Sequence, residues 1–208
     1  MIINFYHYQK GIMKTFLTIL ILLFSSLAFA EDISDFEIEG MSVGDSLLDY
    51  FSEEEIIKNI RSDGYIGSDG KFSDAIFENI PIIKIYDGLQ IAFKSKDKNF
   101  IIHAILGTIF FEENNDECYL KQSEIDKEIS ILLKGVERRE YPKELYPGYD
   151  DSYHKGITYW FNRGVTGGTI DLRCYDWNNK KLGLQDYFQI GTNSFEYHDW
   201  IIEYQSIK

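Results

Sequence analysis

Hydrophobic and polar residues alternate along several short stretches of the chain. Residues 89–94 alternate with a period of two, and the same period recurs over 157–161 and 170–174. This period is typical of a strand that buries one of its faces. The glycine-rich segment 164–168 predicts that the last two stretches pair as a hairpin.

Other apolar segments predict further strands. The stretches 82–86 and 89–94 flank Asp87-Gly88, a dipeptide that favours the tight turn of a hairpin. Residues 100–111 form a long apolar stretch, and 186–190 form a shorter one. Together these segments predict a sheet of antiparallel strands.

Apolar residues spaced three and four positions apart predict helices. One begins after Ser52, which forms a capping box with the glutamate three residues later. A second begins near Ser123, and a C-terminal helix is capped near Asn193 or Ser194. A further short helix is predicted to begin at Ser42.

The predicted order of helices, strands, helix, strands and helix indicates an α+β protein. We expect an antiparallel sheet that packs with N-terminal, central and C-terminal helices. The length of 208 residues suits one domain, which we assign to residues 31–208.

The first thirty residues have the three parts of a secretory signal peptide. Lys10 and Lys14 precede an apolar run that ends in Ala28-Phe29-Ala30, and no acidic residue occurs before Glu31. The run is shorter than the roughly 20 residues that span a bilayer. We therefore expect a cleaved leader, a periplasmic or secreted protein and no permanent membrane span, with an uncleaved anchor as the alternative.

The two cysteines, Cys118 and Cys174, both lie after the leader. An even pair in an oxidising compartment predicts a disulfide. Cys174 shares the apolar face of its strand with Ile170 and Leu172, where a structural half-cystine belongs. Two buried free thiols are the alternative.

The chain has 34 acidic and 21 basic residues and a formal net charge of −13. This charge argues against nucleic acid or an anionic membrane surface as a partner. The sequence has no phosphate-binding glycine motif, no zinc-protease motif and no nucleophile elbow. We therefore predict no cofactor and assign no catalytic residue.

Aromatic residues supply the main candidates for ligand binding. If the apolar residues of 157–161 face the core, Trp160 faces the other way, with Tyr175 and Trp177 as neighbours across the hairpin. Such side chains are common at recognition surfaces and suit a sugar or a peptide. The alternative is that another element, such as the C-terminal helix, covers this face.

A long polar connection is predicted over 136–155. Within it, Asp150, Asp151 and His154 offer oxygen and imidazole ligands that could hold a cation weakly. A solvated acidic loop explains the same residues, and we predict no bound metal.

Residues 38–48, Cys118 and the segment Cys174-Tyr175-Asp176-Trp177 resemble short secreted proteins of unknown function from marine alphaproteobacteria. The resemblance spans much of the chain after the leader. Those proteins have no assigned activity, so the resemblance implies none here. Gly40-Met41-Ser42 is also similar to a short sequence motif of the SmpA/OmlA envelope lipoproteins. The lipoprotein cysteine of that family is absent here.

These observations lead to two hypotheses. The first is an exported, non-catalytic binding or envelope-accessory protein whose partner is an envelope protein or a small ligand. The second is an envelope hydrolase that uses a carboxylate pair, which would need two buried acids with raised pKa values.

We predict that the exported protein begins at Glu31, because small residues occupy Ala28 and Ala30 ahead of it. Intact-mass measurement of exported material checks this. A mass that retains the apolar run would show an anchored protein instead.

Overall fold

A computed structural model describes residues 32–61, 70–111, 115–149, 151–161, 167–177 and 184–206. The predicted leader lies outside these residues. The helices are α1 (Glu53–Asn59), α2 (Asn115–Leu132) and α3 (Phe195–Ser206). The strands are β1 (Glu37–Ile38), β2 (Met41–Ser42), β3 (Phe72–Glu78), β4 (Gly88–Lys94), β5 (Ile102–Phe111), β6 (Glu137–Leu145), β7 (Tyr153–Trp160), β8 (Gly168–Asp176) and β9 (Asp186–Ser194).

Seven of the strands form one sheet in the order β3-β4-β5-β9-β8-β7-β6, and every neighbouring pair is antiparallel. The hairpin predicted from residues 157–161 and 170–174 is the pair β7–β8. The predicted antiparallel sheet of an α+β protein is therefore what the structure has. Each helix in the described part of the chain is too short or too polar to cross a bilayer.

One face of the sheet carries the main hydrophobic core, and we call it the core face. Ile91, Ile105 and Leu172 lie on it, on three different strands, and are fully buried. The N-terminal segment packs against this face through a series of buried residues: Ile33, Phe36, Ile38, Met41, Leu47, Phe51 and Ile56. Burial at roughly 25 cal/mol per Å² of apolar area makes this packing the main source of stability.

Helix α2 covers the other half of the core face. The predicted disulfide between Cys118 and Cys174 is confirmed, with the two Cα atoms 5.9 Å apart, and it joins α2 to β8. One turn later, the buried Gln122 amide donates hydrogen bonds to the carbonyl oxygens of Lys155 and Leu172. These bonds satisfy polar groups that burial would otherwise make costly.

Asp126 continues the attachment of α2 to the sheet. Its carboxylate accepts two hydrogen bonds from the Arg138 guanidinium, at 2.8 and 2.9 Å, and one from the Tyr159 hydroxyl at 2.6 Å. Burial raises the pKa of Asp126, but these hydrogen bonds outweigh it and hold the pKa below its usual range.

Two sequence predictions about the strands are wrong. The Asp87-Gly88 dipeptide does not turn a hairpin, because β4 pairs with β3 and residues 82–86 form no strand. The predicted loop over 136–155 contains β6 and the first residues of β7. β6 is an exposed edge strand, so it carries charged residues and lacks the apolar alternation on which the prediction relied.

Two helix starts are also misplaced. Ser42 ends β2, and the next helical turn is the short 3-10 segment Leu47–Asp49, capped by Ser46. Helix α2 begins at Asn115 rather than near Ser123, so Cys118 lies within it. The start of α1 is confirmed, since Ser52 and Glu55 form the reciprocal capping box.

We predict that removing the disulfide lowers stability strongly. A bond that closes a loop across a sequence separation of 56 residues contributes about 4 kcal/mol in the loop-entropy model. For a domain of this size, the melting temperature should fall by about 10 °C in a Cys118→Ala/Cys174→Ala variant. Reductant should lower the melting temperature of the parent and leave that of the variant unchanged. An equal shift in the two proteins would contradict the disulfide.

Candidate functional site

The second face of the sheet, which we call the outer face, is clearest along β8. Thr169, Asp171, Arg173 and Tyr175 point to it at every second position, and Trp177 follows the same alternation. At about 3.4 Å per residue, Tyr175 lies about 20 Å along the strand from Thr169. The outer face therefore has two separate ends.

Helix α3 covers the end of the outer face that contains Thr169. Its Tyr197 and Trp200 are buried against Phe72, Ala92 and Ala104 of the sheet. The short alanine side chains leave room for the two large rings. The predicted C-terminal helix thus covers this face, which was the alternative to an open aromatic face. It does so only at this end.

Trp160 belongs to the covered end. Its ring lies 4.7 Å from the ring of His198 and 6.2 Å from that of Phe195, both on α3. The Arg139 guanidinium lies 4.7 Å from the Trp160 ring centre, in a cation–π contact. The structure therefore does not bring Trp160 together with the other two candidate aromatic residues.

Tyr175 and Trp177 lie together at the opposite end, with nearly parallel rings 5.9 Å apart. Tyr187 of β9 lies 4.5 Å from Tyr175, and Tyr146 lies 5.0 Å from Trp177. We call the cluster formed by these rings and two neighbours the aromatic surface; it consists of Tyr146, Tyr149, His154, Tyr175, Trp177 and Tyr187.

Local hydrogen bonds fix the position of the aromatic surface. The Trp177 backbone N–H donates to the Asp186 carboxylate at 2.8 Å, which joins the end of β8 to the start of β9. The Tyr146 N–H donates to the Ser152 carbonyl at 2.8 Å and closes the turn between β6 and β7. Tyr149 stands in that turn, is 37% exposed and lies 5.3 Å from Trp177.

The ring spacings show what kind of site this is. Centroid distances of 4.5–6.3 Å around Tyr175 and Trp177 are those of aromatic rings in direct contact. A cage that encloses a cation needs open space between its rings. The rings therefore pack on one another without an enclosed space between them, and a ligand would contact the cluster from its partly exposed side.

Polar side chains occupy the outer face between the two ends. The Asp171 carboxylate accepts hydrogen bonds from Thr158 at 2.6 Å, from Thr169 at 3.0 Å and from Asn193 at 2.8 Å. Arg173 adds a longer contact of 3.4 Å to the same group. With these partners, Asp171 anchors the polar zone.

Arg173 extends from β8 over its neighbouring strands. A Cβ atom on Gly156 of β7 would lie 3.2 Å from the guanidinium, so the glycine leaves the space that Arg173 occupies. The guanidinium reaches to 5.8 Å from the Tyr141 ring of β6. Burial lowers the pKa of Arg173, but Asp171 outweighs this effect and the pKa lies above its usual value.

The metal candidates are only partly described. Asp150 lies outside the described residues, and Asp151 is exposed in a left-handed turn with φ of 60°. His154 belongs to β7, where its Nε2 lies 3.4 Å from Glu144. In the described ranges, no three His, Cys, Asp or Glu side chains come together as a set of metal ligands.

A hydrolase would need an acid whose pKa is raised. Among the described residues, the pKa values of Glu55, Asp97, Asp126 and Glu196 are shifted, and all four shift downward. Hydrogen bonds from Ser52 lower the pKa of Glu55, and backbone N–H groups lower that of Asp97. These carboxylates are held as anions and are unsuited to act as general acids near neutral pH.

His103 and Ser194 form a pair that sequence spacing did not indicate. Nδ1 of His103 lies 3.0 Å from Ser194 Oγ, and the Glu196 carboxylate lies 4.0 Å from the same nitrogen. A catalytic triad needs the nucleophile hydroxyl and the orienting carboxylate on opposite ring nitrogens of the histidine base, whereas here both lie beside Nδ1. Ser194 Oγ also accepts the Tyr197 N–H, so its role is to cap α3.

Comparison of the chain with protein-family models, with curated proteins and with solved structures finds no match. The resemblances of residues 38–48 and of Gly40-Met41-Ser42 therefore stay expectations.

We predict that stability falls between pH 7 and pH 5. Burial lowers the pKa of His103 and of His154, and Arg173 adds to the effect at His154. Because the unfolded pKa is about 6.5, the unfolded chain binds protons first as the pH falls. Urea unfolding at the two pH values should show a smaller loss of unfolding free energy in a His103→Gln/His154→Gln variant. If this variant kept the pH dependence of the parent, the two histidines would not be its cause.

Proposed function

We propose that this protein is a non-catalytic binding protein of the periplasm or the cell exterior, and that its ligand is a neutral oligosaccharide. The aromatic surface carries this proposal. Tyr175 and Trp177 lie with four further rings at the end of the outer face away from α3. The disulfide and the predicted leader support an oxidising compartment.

The chemistry of sugars suits this surface. The face of a sugar ring presents C–H bonds, which pack against the electron-rich faces of Tyr and Trp rings. Sugar hydroxyls also need donors and acceptors, which Arg173 and Gln189 supply on neighbouring strands next to the rings. An oligosaccharide of several units would contact both zones.

Charge and strand geometry argue against other ligands. A net charge of −13 repels anionic polymers. A peptide that adds to a sheet needs a free strand edge. The exposed edge strand β6 is interrupted by an irregularity between Tyr141 and Glu144, and Pro142 lies within it. Charged residues, bulges and proline are the features that keep an edge from pairing.

A binding experiment tests the proposal. The mature protein is titrated with a panel of neutral hexasaccharides that differ in sugar and linkage, and binding is followed by calorimetry. We expect at least one to bind, and Tyr175→Ala and Trp177→Ala each to weaken it by about tenfold, since an aromatic contact contributes about 1 kcal/mol beyond its buried area.

Tyr153→Ala is the matched control, because Tyr153 is the β7 neighbour of His154 and faces the other side of the sheet. It should leave sugar binding unchanged. If Tyr153→Ala and Trp177→Ala reduced sugar binding equally, the ligand would bind outside the aromatic surface. Failure of the whole panel, together with binding of a peptide, would replace the sugar with a peptide ligand.

A further inference from the structure

A cavity of about 490 Å³ lies at one end of β3, β4 and β5. Its apolar walls include Ile80, Ile83, Tyr86 and Phe111, and two carboxylates line it, Glu78 and Asp87. The volume lies in the range of small-molecule sites, and the cavity is open to solvent, with more polar than apolar surface in its lining. The cavity shares no residue with the aromatic surface, although the ring of Phe110 in its lining lies 6.1 Å from the ring of Tyr187.

The segment that forms one wall is held firmly in place. Glu39 Oε1 accepts hydrogen bonds from three successive backbone N–H groups, those of Lys84, Ile85 and Tyr86. The Tyr86 ring packs on Gly107, where a Cβ atom would lie 2.7–2.8 Å from the ring. The wall is therefore set by the fold before any ligand arrives.

The two carboxylates are placed for a cation. The Phe110 N–H donates to Asp87 Oδ2 at 2.8 Å, which orients that carboxylate. Glu78 lies opposite Gly88 on the neighbouring strand, and its side chain lies over this glycine. Within the part of the chain that is described, neither Glu78 nor Asp87 forms an ion pair.

We propose that this cavity binds a primary alkylammonium group, with the hydrocarbon against the isoleucine and aromatic walls and the ammonium between Glu78 and Asp87. A free amine and a lysine side chain of a peptide share this chemistry. An uncharged alcohol of the same length would gain the apolar contacts and lose the ionic ones. The proposal does not depend on sugar binding at the aromatic surface.

Calorimetry of the mature protein at pH 7 and low ionic strength tests this site with n-hexylammonium, n-hexanol and n-hexanoate. We expect hexylammonium to bind about tenfold more tightly than hexanol, and hexanoate to bind more weakly than both. Nα-acetyl-lysine methylamide, as a second amine, distinguishes a lysine side chain from a free amine.

The Glu78→Gln/Asp87→Asn variant should bind hexylammonium no better than hexanol. Asn at position 87 can still accept the Phe110 N–H, so the fold is expected to persist, which circular dichroism checks. Glu124→Gln/Glu128→Gln removes the same charge from α2 and should keep the tenfold preference. Equal binding of the amine and the alcohol by the parent, an unchanged preference in the Glu78/Asp87 variant, or no binding of hexylammonium would each overturn the proposal.

Discussion

The attachment of α2 to β8 is the contact on which the rest of the architecture depends. The Cys118–Cys174 bond, the Gln122 amide and the Asp126 carboxylate all join α2 to strands β6, β7 and β8 on the core face. The N-terminal segment packs on the other half of this face. The remaining helix, α3, is then available for the outer face.

Twelve residues of helix cannot cover seven strands, and the outer face reflects this limit. Where α3 lies, Ala92 and Ala104 are small and the rings of Tyr197 and Trp200 are buried. Beyond α3, the outer face changes to the polar groups around Asp171 and then to the aromatic surface. Partly exposed aromatic rings in contact with one another are typical of a recognition surface.

The sequence predicted the parts of the fold that alternate clearly. Apolar residues occupy every second position of β7 and β8 on the core face, so their period of two was visible, and the capping box at Ser52 marked α1 correctly. β6 was missed because all its positions but Tyr141 are exposed. Residues 82–86 looked like a strand because they are mostly apolar, but they pack against the core as irregular chain, with the Tyr86 ring on Gly107 of β5.

The candidate site was only half visible for a different reason. Tyr175 lies in β8 and Trp177 follows directly after it on the same face, so the sequence placed them together. Tyr146, Tyr149 and Tyr187 come from a turn and from β9, and only the register of three strands brings them beside Trp177. Trp160 points to the same face of the sheet as the site residues, but it lies at the end that α3 covers. The sequence alone could not show this.

Hydroxyl-radical footprinting of the mature protein, with and without a bound oligosaccharide, tests the division of the outer face most directly. If the aromatic surface holds the ligand, the sugar lowers the oxidation of Tyr149 and Trp177 and leaves that of Trp160 and Trp200 unchanged. Protection of Trp160 with no change at Tyr149 and Trp177 would contradict the account, because it would place the ligand beside α3.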